Sequence, residues 1–219
     1  MHTSASSHDP VQRRFKITLR GCSVIDSLYA AAPSFMPTSD KKEMFTIRQE
    51  TEKDFAAVRD VIMLTFRDIE ESDHTEHLLV ERLRLSDAYI PGLSLVAETD
   101  GNKTVGHIML SAAKVVSAEG EYTVLAVAPL SVLPGYQRRG IGSMLIREAH
   151  RRAASLGYGA AVLLGHKDYY PRFGYKQASA FGITFPFEAP DECCMAAELV
   201  KGGLDGIHGT VNYPDAFGL

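Results

Sequence analysis

Cysteine is scarce in this 219-residue chain. Cys22, Cys193 and Cys194 are too few for a disulfide framework, and neighbours in sequence bridge only with strain. That scarcity fits a reducing compartment, and a cytoplasmic location is expected. Cys193 and Cys194 fall in an apolar run ending at Val200, where they are expected to be small buried hydrophobes rather than reactive thiols. No His/Cys spacing has the form of a zinc site, so no metal is expected. Charge of one sign is not in excess either. With 23 Lys+Arg against 27 Asp+Glu, a net charge of −4 argues against general affinity for nucleic acid, whose phosphates reward a strongly basic face. No apolar stretch reaches the length of a membrane span, no signal-peptide core precedes a small-residue cleavage site, and no internal repeat is visible. A hydrophobic content of 45% at this length supports one sizeable core.

Organisation along the chain divides it into an extension, a domain and a tail. Residues 1–43 are rich in Ser, Pro and Ala; Arg13, Arg14, Lys16 and Arg20 without an acid resemble a transit peptide only weakly, and a flexible, dispensable extension is expected. The domain spans 44–200. It opens on a strand at Phe45 to Arg48, followed by a capping box at Thr51-Glu52-Lys53-Asp54 and a helix bearing Phe55, Val58, Ile62 and Phe66 at helical spacing. A second helix is expected from Glu76 to Leu85. Strands Ser94 to Glu98 and Thr104 to Val116 flank the turn Asp100-Gly101-Asn102. Tyr122 to Val132 reads as the central strand, with a bulge or local loss of pairing expected at Pro129, which has no N–H to give to the ladder. Ile141, Leu145, Ala149, Arg152 and Leu156 share one helical face that ends at Gly157, and Ala161 to Leu164 is a buried strand. Strand, helix and strand in succession place the two strands parallel. A short helix at Tyr169 to Phe173 and strands near Gly182 to Phe185 and Cys194 to Leu199 complete the domain. Residues 201–219, with Gly203, Gly206 and Gly209, read as too glycine-rich for a regular element and are expected to pack as a tail on the domain surface.

The loop between the central strand and its helix, Gln137-Arg138-Arg139-Gly140-Ile141-Gly142, brings backbone N–H groups, a helix N-terminus and two cations together, which describes an anion site. Gly135 and Gly140 stand five apart as in a Walker A loop, but Ile141 occupies the lysine position and Gly142 the Ser/Thr position. Gly140-Ile141-Gly142 opens a dinucleotide fingerprint, but Leu145 replaces its third glycine. The remaining pattern is Gln/Arg-x-x-Gly-x-Gly/Ala. Through Pro129 to Gly142, and through Tyr169-Tyr170-Pro171-Arg172-Phe173-Gly174-Tyr175 downstream, the chain resembles the GNAT superfamily of N-acetyltransferases over roughly Met44 to Val200.

The resemblance implies a mixed α/β fold: a mostly antiparallel sheet with a central parallel strand pair and helices on both faces. It implies acetyl-CoA as cosubstrate and transfer of its acetyl group to a primary amine by direct attack on the thioester; the acceptor is a small molecule or a protein amine, and a homodimer is admitted. A transferase for another short acyl group and a non-catalytic acyl-CoA sensor are the rival readings. Leu130, Ser131 and Val132 would border the pantetheine arm, with a backbone N–H polarising the carbonyl. The pyrophosphate would rest on Gln137, Arg138, Arg139, Gly140, Ile141, Gly142 and Ser143. Tyr170 matches the family's general acid, with Tyr169 as its neighbour and alternative. Its phenol, of ordinary pKa near ~10, would hydrogen-bond a thiolate whose conjugate acid is near ~8.5. No base stands on the central strands. Glu70, Glu71 and Asp73 could draw a cationic amine, His107 and His166 could act as bases, or water could carry the proton; the bland expectation is a solvated acidic turn and two structural histidines.

Overall fold

The computed structural model describes residues 43–219 except residue 71. The expected features that fall on residues 1–42, Cys22 and the basic run among them, and the role of Glu71 lie outside the described residues. Strand β1 (Phe45–Gln49) leads into a capping turn in which the Thr51 N–H and hydroxyl both donate to Asp54 at 2.8 Å. Asp54 also takes a two-pronged bond from Arg48, at 2.7 Å on each side, so the end of β1 and the start of α1 (Phe55–Phe66) are clamped together. Helix α2 (Glu76–Arg84) follows. Strands β2 (Ser94–Thr99), β3 (Thr104–Val116) and β4 (Glu121–Val132) form an antiparallel meander, and α3 (Ile141–Ser155) crosses to β5 (Ala160–Leu164). Four short or peripheral strands come last: β6 (Lys176–Gln177), β7 (Ile183–Thr184), β8 (Cys194–Glu198) and β9 (Gly209–Asn212).

The sheet runs β1-β2-β3-β4-β5-β8-β6, antiparallel except at β4/β5, with β9 bridging β3 and β7 and running parallel to β7. Because side chains alternate along a strand, each strand feeds both faces. Leu95, Ala97, Ile108 and Leu110 meet Ile141, Leu145, Ile146 and Ala149 of α3, while Val96 and Met109 on the other face meet Val58 and Ile62 of α1 and Val80 and Leu83 of α2. Each such buried aliphatic side chain stabilises the fold by about 1.5–3 kcal/mol before entropy is counted. Helices thus cover both faces, as expected.

One expectation fails. Residues 201–219 are more than a surface wrap without regular structure, because Gly209–Asn212 forms β9. The reason lies in β3, which outruns β2: β2 pairs it only as far as Met109, leaving an open edge at Lys114, Val115 and Val116 that Asn212, Val211 and Thr210 fill. Gly209 sits at φ +126°, and a Cβ there would strike the carbonyl of Val116. Leu204 and Val211 of the same segment are buried among Val115, Val124, Ala160 and Val162.

Candidate active site between the fourth and fifth strands

The parallel contact of β4 and β5 is brief. Leu125 and Ala126 pair with Ala161 and Val162, and beyond them the strands part, β5 keeping its other partner, β8, as far as Leu164. Opposite the divergence β4 carries a bulge: Leu110 faces Val127 but Ile108 faces Leu130, so one residue is extra around Pro129, as its missing N–H predicts. The ladder beyond the bulge fixes where backbone groups point. Leu133 donates to Val105 at 2.9 Å, and hydrogen-bonded pairs alternate along an antiparallel ladder, so the Ser131 N–H turns toward His107 of β3. Leu130 and Val132 therefore turn their N–H groups away from β3, into the gap that β5 has left. The carbonyl of Val132 is already taken, by Gln137 Nε2 and by Thr65 Oγ1, each at 3.1 Å.

At the far end of the gap stands the loop into α3. Arg138 and Gly140 both adopt left-handed backbone, at φ +61° and +85°, which turns the chain sharply into the helix. Gly140, at the N-cap, has no side chain with which to cap, so the N–H groups of Ile141, Gly142 and Ser143 lack intrahelical partners. A cavity of about 340 Å³ joins the two ends; Leu130, Val132, Gln137, Arg138 and Gly140 to Ser143 line it from the β4 side, and Tyr169, Tyr170 and Arg172 from the segment after β5.

Not every expected site residue faces this cavity. Arg139 turns away to pair with Glu43 at 2.7 Å and lies over the Tyr136 ring. The Ser131 side chain is buried with no hydrogen-bond partner for its hydroxyl among the described residues, and its N–H belongs to the ladder, so of the three β4 residues only Leu130 and Val132 offer an N–H to a ligand. Tyr170 is buried in an edge-to-face stack with Tyr169 and Tyr175, and burial pushes its phenol well above the ordinary value. Tyr169 reaches across to α3: a Cβ added at Gly142 would stand 2.6 Å from its hydroxyl. Tyr136 and Arg172 also line the cavity and went unassigned in the sequence reading; both lie inside the quoted motif stretches, but nothing in residue type separates a lining side chain from a packed one.

The candidate bases are placed away from a basic role. His107 is fully buried. Ser94 Oγ donates to Glu50 Oε2 at 2.6 Å, and Glu50 is held by Arg84, so Ser94 can only accept from His107 Nε2–H, 3.1 Å away; Nδ1 keeps its lone pair and has no partner among the described residues. Burial first, and then the Arg84 charge, lowers the imidazole pKa to about 3, which makes it a poor base near neutrality. His166 accepts from the Asp168 N–H at 3.1 Å. Glu70 and Asp73 are exposed, and Asp73 is engaged by the N–H and hydroxyl of Thr75. Cys194 is a buried free thiol with its pKa pushed up to about 11 by burial, the inert hydrophobe expected, whereas Cys193 is disulfide-bonded and departs from that expectation. Among the described residues no group of His, Cys, Asp and Glu could hold a metal ion, and no helix is long and apolar enough to cross a membrane.

Known proteins resemble this chain in sequence and fold. Residues 56–175 match the Acetyltransferase (GNAT) family. The chain is 33% identical over 159 residues to YjhQ of Escherichia coli K12, an uncharacterized N-acetyltransferase, across 71% of this chain and 84% of YjhQ. To YhbS of the same organism, also an uncharacterized N-acetyltransferase, it is 29% identical over 147 residues, 67% of this chain and 85% of YhbS. The crystal structure of Escherichia coli YhbS in complex with CoA has the same fold, with a TM-score of 0.73 at 24% identity over 84% of this chain and 97% of that one. A GNAT family acetyltransferase from Brucella melitensis in complex with acetyl-CoA gives a TM-score of 0.65 at 32% identity, covering 80% of this chain and 98% of its own. With a family match over more than half its length, and with the parted strands and glycine loop in the places described, the chain belongs to the GNAT family of acetyltransferases.

Proposed function

We propose that this protein is an N-acetyltransferase that binds acetyl-CoA in the gap between β4 and β5 and passes the acetyl group to a primary amine. The observation that carries the reading is one cavity lined by a backbone donor site, an uncapped helix N-terminus and a buried phenol. The pyrophosphate rests at Gly140 to Ser143, where unpaired N–H groups and the helix dipole favour negative charge. Arg138 adds a cation on the same wall. The pantetheine arm runs toward Leu130 and Val132, one of whose outward N–H groups receives the thioester oxygen as it gains charge. The amine nitrogen bonds to the carbonyl carbon, the C–S bond breaks, and Tyr170 hydrogen-bonds the departing thiolate. The proton lost by the amine leaves through water, since His107 is too acidic and too deeply buried to take it. The acetyl-CoA complex of the Brucella melitensis relative supports the choice of cosubstrate. The test is calorimetric binding of acetyl-CoA together with a screen for CoA release against a panel of amines and peptides. Binding with release identifies an acceptor; preference for a longer acyl-CoA would correct the acyl group; tight binding with no release across the panel would favour a sensor; no binding would sink the proposal.

A further inference from the structure

We propose that Arg172 is a phosphate-binding residue of the cosubstrate site, reaching the ligand from the β5 side of the cavity while the α3 N-terminus reaches it from the β4 side. The inference rests on the acetyl-CoA reading above. Arg172 is exposed and lines the cavity, yet its stem is pinned: Nε donates to the Tyr169 carbonyl at 2.8 Å, and the guanidinium lies 4.5 Å from the centre of the Tyr169 ring. Its two terminal nitrogens make no ion pair among the described residues, whereas Arg139 holds Glu43 and Arg84 holds Glu50. A guanidinium held on one edge and open on the other is a fork already aimed, and the geometry of that fork suits two phosphate oxygens at once. Pinning removes much of the rotamer freedom that a long side chain otherwise loses on binding. CoA offers the same chemistry twice, in its pyrophosphate and in its 3′-phosphate.

The test compares the wild type, Arg172→Gln and Arg172→Lys for affinity toward acetyl-CoA, its analogue lacking the 3′-phosphate, and acetyl-pantetheine, which has no phosphate. Arg172→Gln is expected to weaken acetyl-CoA binding by about ten-fold, the scale of one charge-assisted contact at an exposed site, with acetyl-pantetheine unaffected and Arg172→Lys intermediate. A loss shared by the analogue lacking the 3′-phosphate assigns the contact to the pyrophosphate; a loss confined to intact acetyl-CoA assigns it to the 3′-phosphate. No loss, or an equal loss for all three ligands, overturns the assignment and makes Arg172 a staple of the Tyr169 turn. Failure of the wild type to bind acetyl-CoA at all overturns the reading beneath it instead.

Discussion

At the scale of single residues, the site turns on groups whose surroundings hold them in one state. Tyr170 is buried and its phenol is raised well above the ordinary value, so it stays protonated throughout the working range and keeps an O–H to donate. Tyr170→Phe keeps the ring contacts to Tyr169 and Tyr175, whose centres lie 5.1 and 5.6 Å away, and removes only the hydroxyl. Steady-state kinetics should then show kcat lower by about 10²–10⁴-fold with acetyl-CoA affinity retained. A preserved kcat would move the acid to Tyr169 or to water. Gly142 is the second such position. A Cβ there would stand 2.6 Å from the Tyr169 hydroxyl, so the end of that side chain would have to shift. Gly142→Glu adds a carboxylate to that crowding at the N-terminus of α3, so acetyl-CoA binding should vanish by calorimetry while the circular dichroism spectrum is unchanged. Unaltered affinity would remove the phosphate site from this loop.

At the scale of elements, a polar chain ties together the end of β1, α2, β2 and β3 through Glu50, Arg84, Ser94 and His107, with Tyr89 beside them. His107 is neutral in the folded protein because its pKa falls from 6.5 to about 3, whereas the unfolded chain takes up the proton near the ordinary value. The folded pKa is the depressed one, so this contribution is complete above about pH 6.5 and is lost as pH falls toward 3, at a limiting slope of about 1.4 kcal/mol per pH unit. His107→Gln, which cannot charge, should lose less melting temperature than the wild type between pH 7 and pH 4; parallel curves would show that His107 does not set the acid limb. Little of this chain was legible in the sequence, since its members are up to 57 positions apart and only the sheet register brings them together. Elements with a strong local signature were legible: the capping turn at Thr51, α3 with its apolar face, and the bulge that Pro129 requires. So was the crossover that makes β4 and β5 parallel, because chain direction follows from strand, helix and strand in order. Lys176–Gln177 and Gly209–Asn212 escaped notice because their strand state is imposed by open edges elsewhere rather than by their own side chains.

At the scale of the whole molecule, the last seventeen residues contribute two side chains to the core. Leu204 and Val211 are each at least 96% buried, and β9 closes the open edge of β3. Removing residues 203–219 would delete both side chains and uncover Val115 and Ile183, which they help to bury, so a drop in stability of several kcal/mol, or loss of folding, is expected in thermal melts. A melt unchanged by the truncation would show that this segment contributes no net stability. The parting of β4 from β5 has a different kind of consequence. Unpaired strand edges ordinarily invite a strand from another chain and so lead to association. Here the two edges lie inside a single sheet, and the space between them is the cavity lined also by the loop into α3 and by Tyr169, Tyr170 and Arg172. On the acetyl-CoA reading, the unpaired groups of these edges would be turned from a hazard between proteins into a berth for a thin, amide-bearing ligand.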